Sequence, residues 1–274
     1  MKVFLNNKIV RATDAQISVF DHGFLYGDLI FETLKYENKQ IIYLEDHLNR
    51  LKKACQQQLF NFPNLDFVQI IENLIQINKL KKARIRISFS RGNNNFIFSK
   101  GSKITCLIST ENFNSNVNWM HYGSKTDLFK IDRLPPQVKK ISSSTIYARQ
   151  FIEKNNLDEC FFVNFKNEIM EGSISNIFFI KDQTIITPPL NQCLDGVIRK
   201  KIIKILQKNN FSVLEKSILE SEIKSFSEAF WTNSLHHIVP IKQIGKYDFT
   251  IPGFVTQKII SFLMKDIKKS LINS

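Results

Sequence analysis

The stretch from Lys82 to Ser90 constrains the fold most, because Ala83, Ile85, Ile87 and Phe89 alternate there with Arg84, Arg86 and Ser88. A period of two suits a pleated strand with one buried and one wet face. A helix would scatter those four apolar residues around its circumference. Just upstream the period changes: Leu44, Leu48, Leu51 and Cys55 follow i, i+4, i+7 and i+11, and so line one face of a helix predicted over Tyr43 to Gln58. His47 and Arg50 lie beside that face. Phe67 to Asn78 reads as a second helix. Val3 to Leu5 and Lys8 to Val10 flank Asn6-Asn7 as a hairpin, and residues 30 to 36 pair with 40 to 43 about a turn at Asn38. Between them, two glycines and two aspartates interrupt the apolar sequence from Asp21 to Leu29, which marks a shaped loop. Ile104 to Ile108 makes a further strand.

The polar stretch from Glu111 to Asn116 is a linker in composition and predicts two domains, 1–115 and 116–274. Beyond it the patterns predict a helix over Ser142 to Asn155, then strands over 159–164, 169–170, 176–180 and 184–187. An amphipathic helix follows from Gly196 to Asn209. After it come a strand at Phe211 to Leu214, a helix at Leu219 to Phe226, a strand at Ala229 to Thr232, and a last helix from Phe254 to Ile272. Strands and helices mix without steady βα alternation, so the fold class is α+β. There is no internal repeat and no glycine-rich phosphate fingerprint.

Composition narrows the function. Of 274 residues 43% are hydrophobic, with 24 phenylalanines, which is ample for a packed core. The net charge of +13 invites a nucleic-acid reading, but the lysines are spread from Lys2 to Lys269 and many alternate with apolar residues, as on the wet face of a helix. Small anionic substrates would profit from the positive field instead. Cys55, Cys106, Cys160 and Cys193 are far apart and form no CxxC pair, which argues against a zinc site or a disulfide framework and fits a reducing cytoplasm. With no apolar run near the ~20 residues of a membrane span, the expectation is a soluble cytoplasmic protein.

Four stretches could carry chemistry. Gln137-Val138-Lys139-Lys140 joins a Pro135-Pro136 break to a helical run, either as a reactive amine or as a solvated pair. Glu171-Gly172-Ser173-Ile174-Ser175-Asn176 places a carboxylate between apolar strands, where burial is costly without a cation or a protonated nitrogen; an exposed turn is the alternative. Leu194-Asp195-Gly196-Val197-Ile198-Arg199 opens the amphipathic helix and offers backbone N–H groups to an anion. Thr232-Asn233-Ser234-Leu235-His236-His237 follows a strand with hydroxyl and amide groups, suited to an anion or to loop capping. The histidine pair lacks further ligands at metal spacing.

Their order along the chain is informative. Phe20 to Asp28 with Phe31-Glu32-Thr33, then His47-Leu48-Asn49-Arg50-Leu51, a lysine near 140, Glu171-Gly172-Ser173 with Ser175-Asn176, and Leu194 to Arg199 resemble the class IV (fold type IV) pyridoxal-phosphate enzymes. That family contains branched-chain aminotransferases, D-amino acid aminotransferases and 4-amino-4-deoxychorismate lyases, and the resemblance spans about residues 1 to 240. It implies a two-domain fold, pyridoxal 5'-phosphate as cofactor and a homodimer. Arg50 matches the arginine that grips the cofactor phosphate, a task suited to a guanidinium. Glu171 matches the carboxylate facing the pyridine nitrogen. Val197 and Ile198 match the helix-start residues whose N–H groups hold the phosphate, and Ser234 falls where a hydroxyl contacts it. The Schiff-base lysine is expected at Lys140 rather than Lys139, because Tyr147 follows Lys140 by the seven positions of the lyase-like pattern. Thr33 stands where branched-chain aminotransferases usually carry glycine, and Asn233-Ser234-Leu235 resembles the lyases' stretch ahead of a Pro-Val pair. The resemblance is therefore nearest to 4-amino-4-deoxychorismate lyase, which releases pyruvate and leaves 4-aminobenzoate for folate synthesis. Thr33 would assist protonation of the leaving group. The alternative is a class IV aminotransferase acting on branched-chain or other amino acids.

Overall fold

Asn6 and Asn7 take positive φ angles of 47° and 73°, as a two-residue hairpin turn requires, and fold β1 (Lys2–Leu5) onto β2 (Lys8–Arg11). The computed structural model describes residues 1–93, 103–115, 117–131 and 138–270. The Pro135-Pro136 break, Gln137 and the expected helix end at Ile272 lie outside the described residues.

Where a shaped loop is expected, Asp21 caps a short helix, α1 (His22–Tyr26), by accepting from the Gly23 amide at 2.7 Å. Gly27 ends it with φ at 64°, a left-handed conformation that glycine adopts freely. There follow β3 (Leu29–Glu37), β4 (Gln40–Ile41), α2 (Leu44–Gln57), α3 (Phe67–Ile77), β5 (Ala83–Ser90) and β6 (Thr105–Asn112). The last of these runs into the stretch expected to be linker. The strands form an antiparallel sheet in the order β2-β1-β6-β5-β3-β4. Leu51 and Cys55 of α2, with Phe67, Ile71 and Leu74 of α3, pack against Ile30, Leu34, Ile85, Ile87 and Phe89 of the sheet. Each such side chain contributes about 1.5–3 kcal/mol when it leaves water.

Contacts divide the chain into two units, and the cut falls between Asn114 and Ser115. Lys139 and Lys140 group with the first unit, although their place in the chain predicts the second. The cause is local: Val138 is buried in the first unit's core, and the Phe31 amide donates to the Lys139 carbonyl at 3.2 Å.

The second unit contains α4 (Trp119–Tyr122), β7 (Ser124–Lys130), α5 (Ser143–Lys154), β8 (Glu159–Val163), β9 (Glu168–Gly172), β10 (Asn176–Lys181) and β11 (Thr184–Thr187). After them come α6 (Val197–Lys208), β12 (Val213–Glu215), β13 (Ile218–Leu219), β14 (Glu228–Asn233), β15 (His237–Ile244), β16 (Tyr247–Asp248) and α7 (Phe254–Ser270). Its mixed ten-stranded sheet runs β12-β11-β10-β14-β15-β7-β8-β9-β13, with β16 beside β15. β8 shows why its sequence does not alternate: Phe161 and Val163 enter one core while Cys160 and Phe162 enter another with Ala148 of α5, so both faces are dry. Four strands escape sequence reading: β7, β15 and the two-residue β13 and β16. β15 contains Pro240, which removes a ladder donor yet pairs with Phe230, and β7 has only Leu128 and Phe129 as large apolar residues. The helix expected from Leu219 to Phe226 is a 3-10 turn over Glu220–Ser225. Among the described residues, no helix is long and apolar enough to cross a membrane.

Candidate active site

Alternation along β3 sorts its side chains onto opposite faces of the sheet. Ile30, Glu32 and Leu34 turn toward α2, where Glu32 is almost wholly buried. A lone carboxylate there would be untenable, and two residues one helical turn apart on α2 receive it. His47 Nδ1 donates to Glu32 Oε2 at 2.7 Å, Arg50 Nε to Oε1 at 2.7 Å, and Arg50 Nη2 to Oε2 at 2.8 Å. Burial by itself pushes the Glu32 carboxyl up, but the Arg50 charge and the hydrogen bonds from Arg50 and His47 outweigh it and bring the carboxyl down to about 2. Burial holds the His47 imidazole below its ordinary value; Arg50 and Lys139 push the same way, and Glu32 pulls against them. His47 is therefore a neutral donor, and Glu32 a carboxylate that orients the Arg50 guanidinium.

The two lysines part company. Lys139 lies over the Phe31 ring, its Nζ 5.2 Å from the centroid, and is close enough for its charge to act on His47. Lys140 donates to Gln58 Oε1 at 2.7 Å and approaches Asp28 Oδ1 at 3.5 Å. Asp28 in turn accepts from Arg91 Nε at 2.6 Å, and Arg91 also donates to the Gln58 and Leu59 carbonyls. Lys140 and Arg91 thus staple the chain together around Asp28. The structure commits Arg91 to that network.

On the open face of the sheet Phe31 and Thr33 stand in register with Ser88 and Arg86. The Arg86 guanidinium stacks 3.8 Å from the Phe31 centroid, and its Nε donates to Ser88 Oγ at 3.2 Å. Arg86, Ser88 and Ser90 also line a cleft of about 330 Å³ with Phe24, Leu29 and Leu107. In the sequence Arg86 is one of several polar residues on a strand's wet face, and no local signal separates it from Arg84.

The second unit gathers the other candidates. Glu171 is buried, and its Oε2 accepts from the Leu194 amide at 2.8 Å and from Asn176 Nδ2 at 3.4 Å. Asn176 Nδ2 also donates to the Leu194 carbonyl at 3.0 Å, so one carboxylate and one amide pin the approach to α6. Gly196 is the N-cap of α6, and no side chain among the described residues caps that end. A Cβ on Gly196 would collide with Asn176 Oδ1, so only glycine lets the chain pass this close. Val197 and Ile198 follow, both buried. Ser234 sits in the turn after β14, which Asn233 Oδ1 fixes by accepting from the Leu235 and His236 amides at 3.0 and 2.9 Å.

These residues fit the cofactor the sequence implies. An uncapped helix start presents N–H groups to a phosphate, and a buried carboxylate suits a protonated ring nitrogen. Thr232, paired in register with Asn176, keeps a buried hydroxyl that finds no hydrogen-bond partner among the described residues. Such a group is costly unless a ligand atom meets it.

Two α+β units with these sheets define a fold type IV enzyme. The chain superposes on the branched-chain aminotransferase of Thermoproteus uzoniensis with a TM-score of 0.88 at 23% identity, covering 97% of this chain and 94% of that one. Residues 29–244 match the amino-transferase class IV family, and the chain belongs to it. Its cofactor is accordingly pyridoxal 5'-phosphate. Among curated relatives, an aminodeoxychorismate lyase from Bacillus subtilis is 26% identical over 98% of this chain and 96% of its own. A branched-chain-amino-acid aminotransferase from Pseudomonas aeruginosa is 24% identical over 94% of this chain and 90% of its own.

Proposed function

We propose that this protein is a 4-amino-4-deoxychorismate lyase, forming 4-aminobenzoate and pyruvate in folate synthesis. The observation that carries the proposal is the placement of Thr33, half-buried on β3 in register with Arg86 and on the face opposite Glu32. The relative of that name in Bacillus subtilis, matched over 98% of this chain, supports it.

When bound, pyridoxal phosphate supplies an electron sink for the pair left behind as a proton leaves the carbon bearing the substrate amine. The family resemblance assigns the cofactor phosphate to Arg50, which Glu32 orients, and, in the second unit, to the Val197 and Ile198 amides and the Ser234 hydroxyl, which would bind it as donors. Ile198 brings no side-chain donor to that task. Glu171, fixed by Leu194 and Asn176, keeps the ring nitrogen protonated. Sequence spacing favours Lys140 as the cofactor lysine; we assign Lys139 instead, because its Nζ lies 5.2 Å from the centroid of the Phe31 ring that Arg86 also stacks on, and its charge reaches His47 of the Glu32–Arg50 cluster. Lys139, once its amine is released, takes the C4 proton of the substrate. The C3–O bond then breaks with its electron pair on the departing enolpyruvate, and the Thr33 hydroxyl delivers a proton to that fragment's methylene to give pyruvate. Arg86 and the positive field attract the substrate carboxylates.

The second reading is an aminotransferase for branched-chain or other amino acids, supported by relatives of that name. Incubating the pure holoenzyme with 4-amino-4-deoxychorismate separates the two. Equimolar pyruvate and 4-aminobenzoate with no amino acceptor present supports the lyase; transfer of amino groups to a 2-oxo acid with no pyruvate sinks it.

We further propose a homodimer in the cytoplasm. Val19, Phe20, Phe24 and Tyr26 are more than half exposed within one short stretch of chain, apolar surface that a second copy would cover.

A further inference from the structure

Among the described residues, Glu159 is the most completely enclosed carboxylate that the proposed reaction does not use. It opens β8 at 1% exposure, and among the described residues none of its hydrogen-bond donors is a cation. Its Oε1 accepts from the Cys160 amide at 2.9 Å, the Ser173 amide at 3.0 Å and Ser173 Oγ at 2.6 Å. Its Oε2 accepts from Ser175 Oγ at 2.7 Å and the Ile174 amide at 3.3 Å. Four of the five donors belong to the turn between Gly172 and Asn176. A Cβ on Gly172 would collide with Ser175 Oγ and press on Glu159 Oε2, so the turn is wrapped about the carboxylate as closely as backbone allows.

That turn has functional residues at both ends. Glu171 precedes it and Asn176 follows it, and both reach Leu194, two residues before the N-cap of α6. A shift in the turn would therefore move the Glu171 carboxylate, and through Asn176 it would also move the start of α6. We propose that Glu159 is a positioning residue for the cofactor: by holding Ser173, Ile174 and Ser175 it sets the ring-nitrogen carboxylate and the phosphate-binding helix start in one register. This rests on the cofactor roles proposed for Glu171, Val197 and Ile198. A valine or isoleucine would fill the same space in a strand, but it would leave two amides and two hydroxyls of the turn without acceptors.

The test titrates pyridoxal phosphate into apoprotein and follows the pH dependence of the bound cofactor's visible band. It uses wild type, Glu159→Gln, Ser175→Ala, Glu171→Gln and the Glu159→Gln/Glu171→Gln pair, with each melting temperature measured alongside. Glu159→Gln is expected to weaken cofactor binding about 10- to 100-fold and to move the band's pH midpoint in the same direction as Glu171→Gln. Ser175→Ala removes one bond and is expected to act the same way more weakly, which keeps the test open if Glu159→Gln folds poorly. In the pair, the effect of Glu159→Gln is expected to shrink, because the residue it positions is already gone. Variants that melt lower yet bind the cofactor with wild-type affinity and band midpoint would overturn the proposal, and so would effects that simply add in the pair. A wild-type protein that takes up no pyridoxal phosphate would overturn the cofactor reading beneath it, a result visible before any variant is made.

Discussion

Arg50 grips Glu32 with two nitrogens of one guanidinium, at 2.7 and 2.8 Å, in a part of the first unit where Glu32 is 1% exposed. A pair so placed is expensive to break from one side, because the remaining charge stays buried. Glu32→Ala is expected to cost about 3–5 kcal/mol of unfolding free energy, read from the urea midpoint. A loss within ~0.5 kcal/mol, typical of a surface substitution, would show that Arg50 finds other partners.

The same pair makes stability pH-dependent, with a definite sign. The Glu32 carboxyl lies at about 2 in the folded chain against an ordinary 4.5, so the unfolded chain binds the proton more readily between those values. Its contribution is complete above the unfolded value and is lost as pH falls toward the folded one. His47, held below its ordinary 6.5 by burial, adds to the loss in acid, since the unfolded chain takes up that proton too. The stability gap between wild type and Glu32→Gln is expected to narrow between about pH 5 and about pH 2 in urea titrations. A gap constant across that window would contradict the account.

Thr33 is assigned a proton transfer and no share in holding the cofactor. Thr33→Ala is expected to slow pyruvate release about 100-fold or more, with the visible cofactor band unchanged, while Thr33→Ser keeps most of the rate. Loss of the band in Thr33→Ala would show that the residue shapes the cofactor site instead.

The exposed apolar stretch after β2 predicts the oligomeric state. Light scattering on the wild type is expected to give twice the chain's 32.0 kDa, and Phe24→Asp, which buries a charge in the patch, to return a monomer. A wild-type monomer at micromolar concentration would remove the dimer from the account.

Much of the fold is legible in the sequence. The clean alternation of Ala83 to Ser90 and the helical spacing of Leu44 to Cys55 produced β5 and α2 to within a residue or two, because each element has one wet and one dry face. β15 was hidden by Pro240 and β7 by a polar composition; both are held by neighbours in the sheet rather than by their own propensity. Arg50, Glu171, Val197 and Ile198 carry local motif signals. Arg86, Lys139 and Glu159 do not. What distinguishes them is the Phe31 ring beneath two of them and the closed turn around the third, and these relationships join residues far apart in the chain.

The most direct test of the account is reduction of the holoenzyme with borohydride, followed by mass mapping of the modified peptide. The account predicts a pyridoxal-phosphate adduct on Lys139, retained in Lys140→Ala and lost in Lys139→Ala. An adduct on Lys140 would return the assignment to the sequence spacing, and no adduct on either lysine would contradict the account at its centre.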